Sequence, residues 1–247
     1  MFPIKDHNPS GQTPYVVYTL IAANVIIYLT TLGLHADNGA LGAFYNDWAM
    51  IPARITAGEG WHTLVSSLFL HAGLMHLAGN MLFLWVFGDN LEEQLGHAGF
   101  LIFYLICGAG ADLAQVVFDP NSGIPTIGAS GAVAGILGGY LLLFPRARVD
   151  ILFIFIIFFK VFPVPAWVML GLWFAMQLFS GVTADVSNGG VAYWAHAGGF
   201  VLGFLYILPL WRKRGGTGFW RANAGHPPHP DAEYELTRSR IPRVRRR

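Results

Sequence analysis

Charged side chains are scarce, at 12% of 247 residues, against about 25% in a soluble domain. That scarcity excludes an ordinary water-soluble globule, and with 54% hydrophobic residues and a mean hydropathy of +0.49 it points to an integral membrane protein. Cysteine occurs once, as Cys107 inside an apolar run. An internal disulfide is therefore excluded, and a redox or cysteine–metal role has little support. No signal peptide is expected either: MFPIKDHNPSGQTP lacks the n-region, h-region and small-residue cleavage site of one. The first apolar run is accordingly expected to stay as a membrane anchor. No internal repeat, GxGxxG or P-loop pattern is apparent. No cofactor, metal or nucleic-acid partner is expected.

What is present is a series of apolar runs. A spanning helix needs about 20 mostly apolar residues. Such spans are expected near 15–34, 76–95, 98–118, 130–144, 165–181 and 191–211. Thr13 and Pro14 are placed as N-cap and first helical residue of the first span. Residues 35–63 mix Asp37, Asp47, Arg54 and Glu59 with Phe44, Trp48 and Trp61, the mixture of an interfacial loop. Residues 151–163 are apolar but short, and Lys160, Pro163 and Pro165 interrupt the run and its end. Charge asymmetry decides how they count. With six spans and the N-terminus inside, Lys5, Arg146, Arg148, Lys160 and every basic residue of the tail lie inside, and only Arg54 lies outside. Seven spans would export Arg212, Lys213, Arg214 and the closing RVRRR, against the positive-inside rule. The expectation is an all-α, six-helix, multi-pass protein of the cell membrane with both termini cytoplasmic and 151–163 interfacial or re-entrant. Residues 1–13 form the N-terminus, 14–211 the membrane domain and 212–247 a basic, disordered tail.

Three polar clusters interrupt the apolar runs. The first is Ser130 in TIGASGAVAG, flanked by Gly128, Gly131 and Gly135. Gly131 and Gly135 form a GxxxG packing pattern, which does not explain a serine in the first turn. The span from 130 to 144 measures about 22 Å against a hydrocarbon core of about 30 Å. Its Ser130 end therefore stops below the surface, which requires a water-accessible cavity. The second is His196 in AYWAHAGGFVLGFLY, with Gly199 and Gly203 at i+3 and i+7 on the same face. Small-residue faces on the fourth and sixth spans allow close packing, which would bring Ser130 and His196 together as nucleophile and base. The third is HAGLMHLAGN, where His76 and Asn80 share a helix face at i, i+4. Both can donate hydrogen bonds, as an oxyanion hole requires. The His71/His76 spacing does not fit HExxH, and carboxylate ligands are missing nearby. The second, fourth and sixth spans all run from outside to inside, so the clusters share one depth in the outer half of the bilayer. No carboxylate occupies an obvious third position; Asp112 and Asp185 are weak candidates for orienting His196, and a Ser–His dyad is simpler.

These motifs together resemble the rhomboid family of intramembrane serine proteases. The resemblance runs through His71-x4-His76-x3-Asn80, Gly128-Ala129-Ser130-Gly131 and His196-x2-Gly199-x3-Gly203, and covers roughly 15–211. It implies a six-helix bundle with Ser130 as nucleophile and His196 as base. His76, Asn80 and the Ser130 N–H would bind the oxyanion, and membrane-protein segments would be the substrates. Leu91-Glu92 followed by Gly96 is similar to the family's structural carboxylate at the end of the second helix. Trp61-His62 stands where the family often has Trp-Arg, and Ala134 where some members carry an aromatic that stacks on the histidine. The rivals are a non-catalytic rhomboid-like protein that binds membrane helices, and a small transporter, for which paired intramembrane carboxylates and repeat symmetry are missing. The charge asymmetry yields a direct test. A reporter active only outside the cell, fused to residue 247, should give no signal; a strong signal would require an odd number of crossings.

Overall fold

The structure, a computed structural model, describes residues 2–155, 158–183 and 190–223. A strand, β1 (Phe2–Asp6), precedes helix α1 (Tyr15–Thr31), which runs on through a 3₁₀ turn at Leu32–Ala36. Short helices α2 (Asn38–Trp48), α3 (Pro52–Thr56) and α4 (Thr63–Ser66) fill the following loop. Then come α5 (Leu74–Leu95), α6 (His97–Phe118) and α7 (Ser130–Leu143). Strands β2 (Arg148–Phe155) and β3 (Phe158–Pro165) lead into α8 (Ala166–Thr183), α9 (Tyr193–Lys213) and α10 (Thr217–Asn223). Among the described residues four helices, α1 with its 3₁₀ turn, α6, α8 and α9, are long and apolar enough to cross a membrane. A fifth candidate is Thr63–Phe69 with Leu74–Leu95, bent by 97°. The α7 helix has 14 residues, about 21 Å, and falls short of a full crossing as its sequence suggests.

The described residues of 151–163 are strand rather than helix. They form most of the β2–β3 hairpin, paired from Arg148↔Pro165 to Phe155↔Phe158, with β1 on the other side of β2 (Phe2↔Leu152). A run of Ile, Phe and Val favours strand. Pro163 and Pro165 forbid helix and are tolerated on β3 because it is a sheet edge. The chain leaves α7 and returns to α8 at the same end of the hairpin. Part of the expected disordered tail is helical: α10 buries Phe219, and Trp220 donates Nε1–H to the Leu142 carbonyl at 2.9 Å. That bond satisfies one of the carbonyls left over at the end of α7. Residues 224–247 of the expected tail, and Asp185, lie outside the described residues.

The start of α1 is capped differently from the sequence expectation. Thr13 makes no cap; Pro14 takes the N-cap position, which has no side-chain hydrogen bond. Instead the buried Glu92, at the far end of α5, accepts the Val16 and Val17 N–H groups at 2.9 and 2.8 Å and binds His97 Nδ1 at 2.5 Å. A carboxylate at a helix N-terminus satisfies unpaired donors and complements the helix dipole. At the same end of the bundle the Tyr140 hydroxyl donates to Asp6 at 2.7 Å, and Asn90 Nδ2 donates to the Asn8 carbonyl at 2.5 Å. The N-terminal segment is thereby tied to α5 and α7.

Helix α7 is the centre of the molecule. Every residue from Gly131 to Leu143 except Leu141 is buried. Its contact with α9 is backbone against backbone. A methyl group on Gly199 would lie 2.2 Å from the Gly131 carbonyl oxygen, one on Gly203 2.0 Å from that of Gly135, and one on Gly138 2.0 Å from that of Phe200. On its other side Gly135 abuts Cys107 and Gly131 abuts Ala111, both on α6. In contrast α8 buries only Ala166, Leu170 and Gln177 and leaves Trp167, Leu172, Met176, Phe179 and Val182 exposed. Gly203→Ala should lower stability by about 1–3 kcal/mol or more, because backbone cannot yield as a side chain can. Gly171→Ala on α8, where a methyl group meets nothing within 4 Å, should be neutral or stabilise by up to about 1 kcal/mol. Thermal midpoints in detergent distinguish the two; equal midpoints would remove the close-packing account.

Candidate active site

The segment before α7 holds Ser130 in place through contacts from distant parts of the chain. Met50 and Thr126 exchange backbone hydrogen bonds (3.2 and 2.7 Å), and the Gly128 N–H donates to the Ser67 carbonyl at 2.9 Å. Ser67 Oγ in turn donates to Asp112 of α6 at 2.7 Å, and both are buried. Asp112 is thus engaged in holding this loop and is not the orienting partner of His196. Irregular backbone inside the bundle is tolerated because these bonds satisfy it.

With α7 and α9 in backbone contact, their first turns lie side by side. Ser130 Oγ is 2.8 Å from His196 Nε2. His76 and Asn80, one turn apart on α5, line the same cavity of about 820 Å³ as Ser130 and His196. Gly128 lies against both: a methyl group there would lie 2.7 Å from His76 Nε2 and 3.5 Å from Asn80 Nδ2, and its φ of +121° lies in the region that favours glycine. Asn80 Nδ2 is buried without a hydrogen-bond partner among the described residues. A buried donor without a partner is costly and needs a reason. The His71 ring packs edge-on to that of His76, centroids 5.1 Å apart. In the loop that lacks the Trp-Arg pair, His62 Nε2 bonds the Asp47 carbonyl at 2.8 Å and Arg54 donates to the Asn46 carbonyl.

Two residues that the sequence did not single out complete the site. Trp173 of α8 stacks on His196, centroids 5.9 Å apart and planes inclined by 30°. It supplies the aromatic absent at Ala134. Gln177, one turn further along α8, places Oε1 2.8 Å from His196 Nδ1. The available signal was a single amide, Gln177, in a helix with no charged residue. Polar side chains in such helices usually bond to a neighbouring helix. The arrangement can carry nucleophilic chemistry: a hydroxyl beside an imidazole nitrogen, an unpaired donor nearby, and a cavity that admits a substrate.

Comparison with known proteins agrees with the fold. Residues 58–213 match the Rhomboid domain, so the chain belongs to the rhomboid family of multi-pass membrane proteins. It is 34% identical over 201 residues to Rhomboid protein 1, mitochondrial, of Saccharomyces cerevisiae (strain ATCC 204508 / S288c), covering 77% of this chain and 52% of that protein. Rhomboid protease GluP of Bacillus subtilis (strain 168) is 36% identical over 130 residues, 52% of this chain and 24% of GluP. RHOMBOID-like protein 4 of Arabidopsis thaliana is 36% identical over 177 residues, 71% of this chain and 40% of the relative. The chain spans about half or less of the length of these relatives.

The position of Gly128 gives a test of the site's geometry. Gly128→Ala should lower stability by about 1–3 kcal/mol through backbone strain and slow fluorophosphonate labelling of Ser130 by displacing His76. Gly123→Ala, where a methyl group meets nothing within 4 Å, should leave labelling unchanged. Wild-type labelling of well-folded Gly128→Ala would show that the Gly128–His76 contact does not shape the site.

Proposed function

We propose that this chain is an intramembrane serine endopeptidase that hydrolyses peptide bonds in or beside transmembrane segments, using Ser130 and His196. The observation that carries the proposal is the 2.8 Å approach of Ser130 Oγ to His196 Nε2 in the lining of a cavity shared with His76 and Asn80. Membership of a family that includes a relative named as a protease, GluP, supports an enzyme over a non-catalytic helix-binding protein. Residues 14–211 carry the activity; the basic segment 212–247 follows, its α10 packed on the end of α7. The charge asymmetry supports a cell-membrane protein with both termini cytoplasmic and the site open to the outer side.

In this mechanism Ser130 Oγ attacks the scissile carbonyl and His196 Nε2 takes its proton. The oxyanion is met by Asn80 Nδ2, His76 and the Ser130 N–H. The imidazolium then protonates the leaving amine. Water entering through the cavity attacks the acyl-enzyme, with His196 again as base. A substrate enters from the bilayer past α8 and the 35–63 loop. Helix-destabilising residues in it help, because a helical backbone hides its carbonyls in hydrogen bonds.

Ser130→Ala should abolish cleavage of a single-span substrate, and His196→Ala should do nearly the same. The double variant should be no worse than the single ones, because the two groups act as a unit. Asn80→Ala should lower kcat by about 10²–10³-fold with folding kept. These rates are to be measured beside thermal midpoints in detergent. A well-folded Ser130→Ala that still cleaves at the wild-type rate would sink the protease assignment.

A further inference from the structure

We propose that Gln177 is a positioning residue, which fixes His196 in the tautomer that carries its proton on Nδ1 and leaves Nε2 free for Ser130. The proposal rests on the serine endopeptidase reading above. The base must present an unprotonated Nε2 to the serine hydroxyl. A ring with the proton on Nε2 would instead donate toward Ser130 and could not take its proton. Which nitrogen carries the proton is set by the hydrogen bond that the other makes. Here the other nitrogen faces the amide oxygen of Gln177 at 2.8 Å, and an amide oxygen can only accept. The Nδ1 proton is therefore required to make that bond.

The surroundings of Gln177 support this role. It is 9% exposed, on a helix with no titratable side chain, among apolar neighbours. An amide placed there without a partner is costly. Trp173, one turn earlier, covers a face of the ring, so α8 holds His196 both by its plane and by its Nδ1. Of the other helices around the ring, α5 brings His76, α6 brings Asp112, which is bound to Ser67, and α7 brings no charged side chain. No carboxylate is hydrogen-bonded to the imidazole among the described residues. A neutral amide selects the tautomer without adding a buried charge, and without the ion pair that would hold a proton on the ring.

The test uses the full chain, with ¹⁵N-labelled histidine and the His196 resonances assigned by their loss in His196→Ala. The wild type should show protonated Nδ1 and unprotonated Nε2; the opposite tautomer overturns the proposal whatever any variant does. Gln177→Leu should lower kcat by about 10- to 100-fold, the worth of one hydrogen bond to a group that becomes charged, with KM nearly unchanged and the Nδ1-protonated signal reduced. Gln177→Glu should retain cleavage and move the acid limb of the kcat/KM profile to higher pH, because a carboxylate favours the imidazolium. If Gln177→Leu keeps the wild-type kcat and tautomer, or if Gln177→Glu leaves the pH profile where it was, Gln177 is only a packing residue. These outcomes are separate from the protease assignment, which stands or falls on Ser130→Ala.

Discussion

The backbone contact between α7 and α9 is the constraint on which the rest depends. Gly199 and Gly203 lie on the carbonyls of Gly131 and Gly135, and Gly138 on that of Phe200. Helices in lipid gain little from burying apolar surface against one another and rely on close packing. A contact made of main chain has no rotamers to vary. The separation of the two helices is therefore fixed near Ser130 and His196, in their first turns. The short length of α7 follows from the same arrangement. It is surrounded by other helices, so its ends need not reach the membrane surfaces, and the loop before it is satisfied by Met50 and Ser67 rather than by water.

The site draws its parts from several segments that differ in stiffness. Ser130 stands on the most buried helix, with His76 and Asn80 on α5 beside it. Trp173 and Gln177 come from α8, of which three residues are buried. The buried acid Asp112 serves to hold the loop through Ser67. A polar network inside a membrane must be fully paired or used. Here, among the described residues, Asn80 Nδ2 is a buried donor at the cavity left without a partner.

What was legible in the sequence depended on distance along the chain. The GASG and HAGG clusters and the His76/Asn80 pair are local spacings, and helical periodicity converts them directly into faces. The long apolar helices were legible for the same reason, and the two glycine faces implied that α7 and α9 pack together. The cap of α1 was not legible, because Glu92 lies 76 residues beyond Val16; local rules pointed to Thr13 instead. Trp173 and Gln177 were missed because nothing in the spacing of α8 shows which of its faces meets His196. The 151–163 segment was ambiguous because a short apolar run fits a buried strand or a helix piece equally well. Its Phe and Ile content and Pro163 fit a strand, but the partner β1 lies at the other end of the sequence, so the segment read only as interfacial or re-entrant.

The Glu92 cap has a consequence for the order in which the chain is built. The first turn of α1 is synthesised long before the carboxylate that completes it, 76 residues later for Val16. At about 5–20 residues per second, that interval is roughly 4–15 seconds. Through it the Val16 and Val17 N–H groups have no Glu92 to bind and must be served by water. The first helix is thus held with its opening turn at the aqueous boundary until α5 follows it. When α5 arrives, one carboxylate joins the beginning of α1, the end of α5 and the beginning of α6. The first helix made is among those finished later, because the carboxylate that completes its opening turn comes 76 residues after Val16.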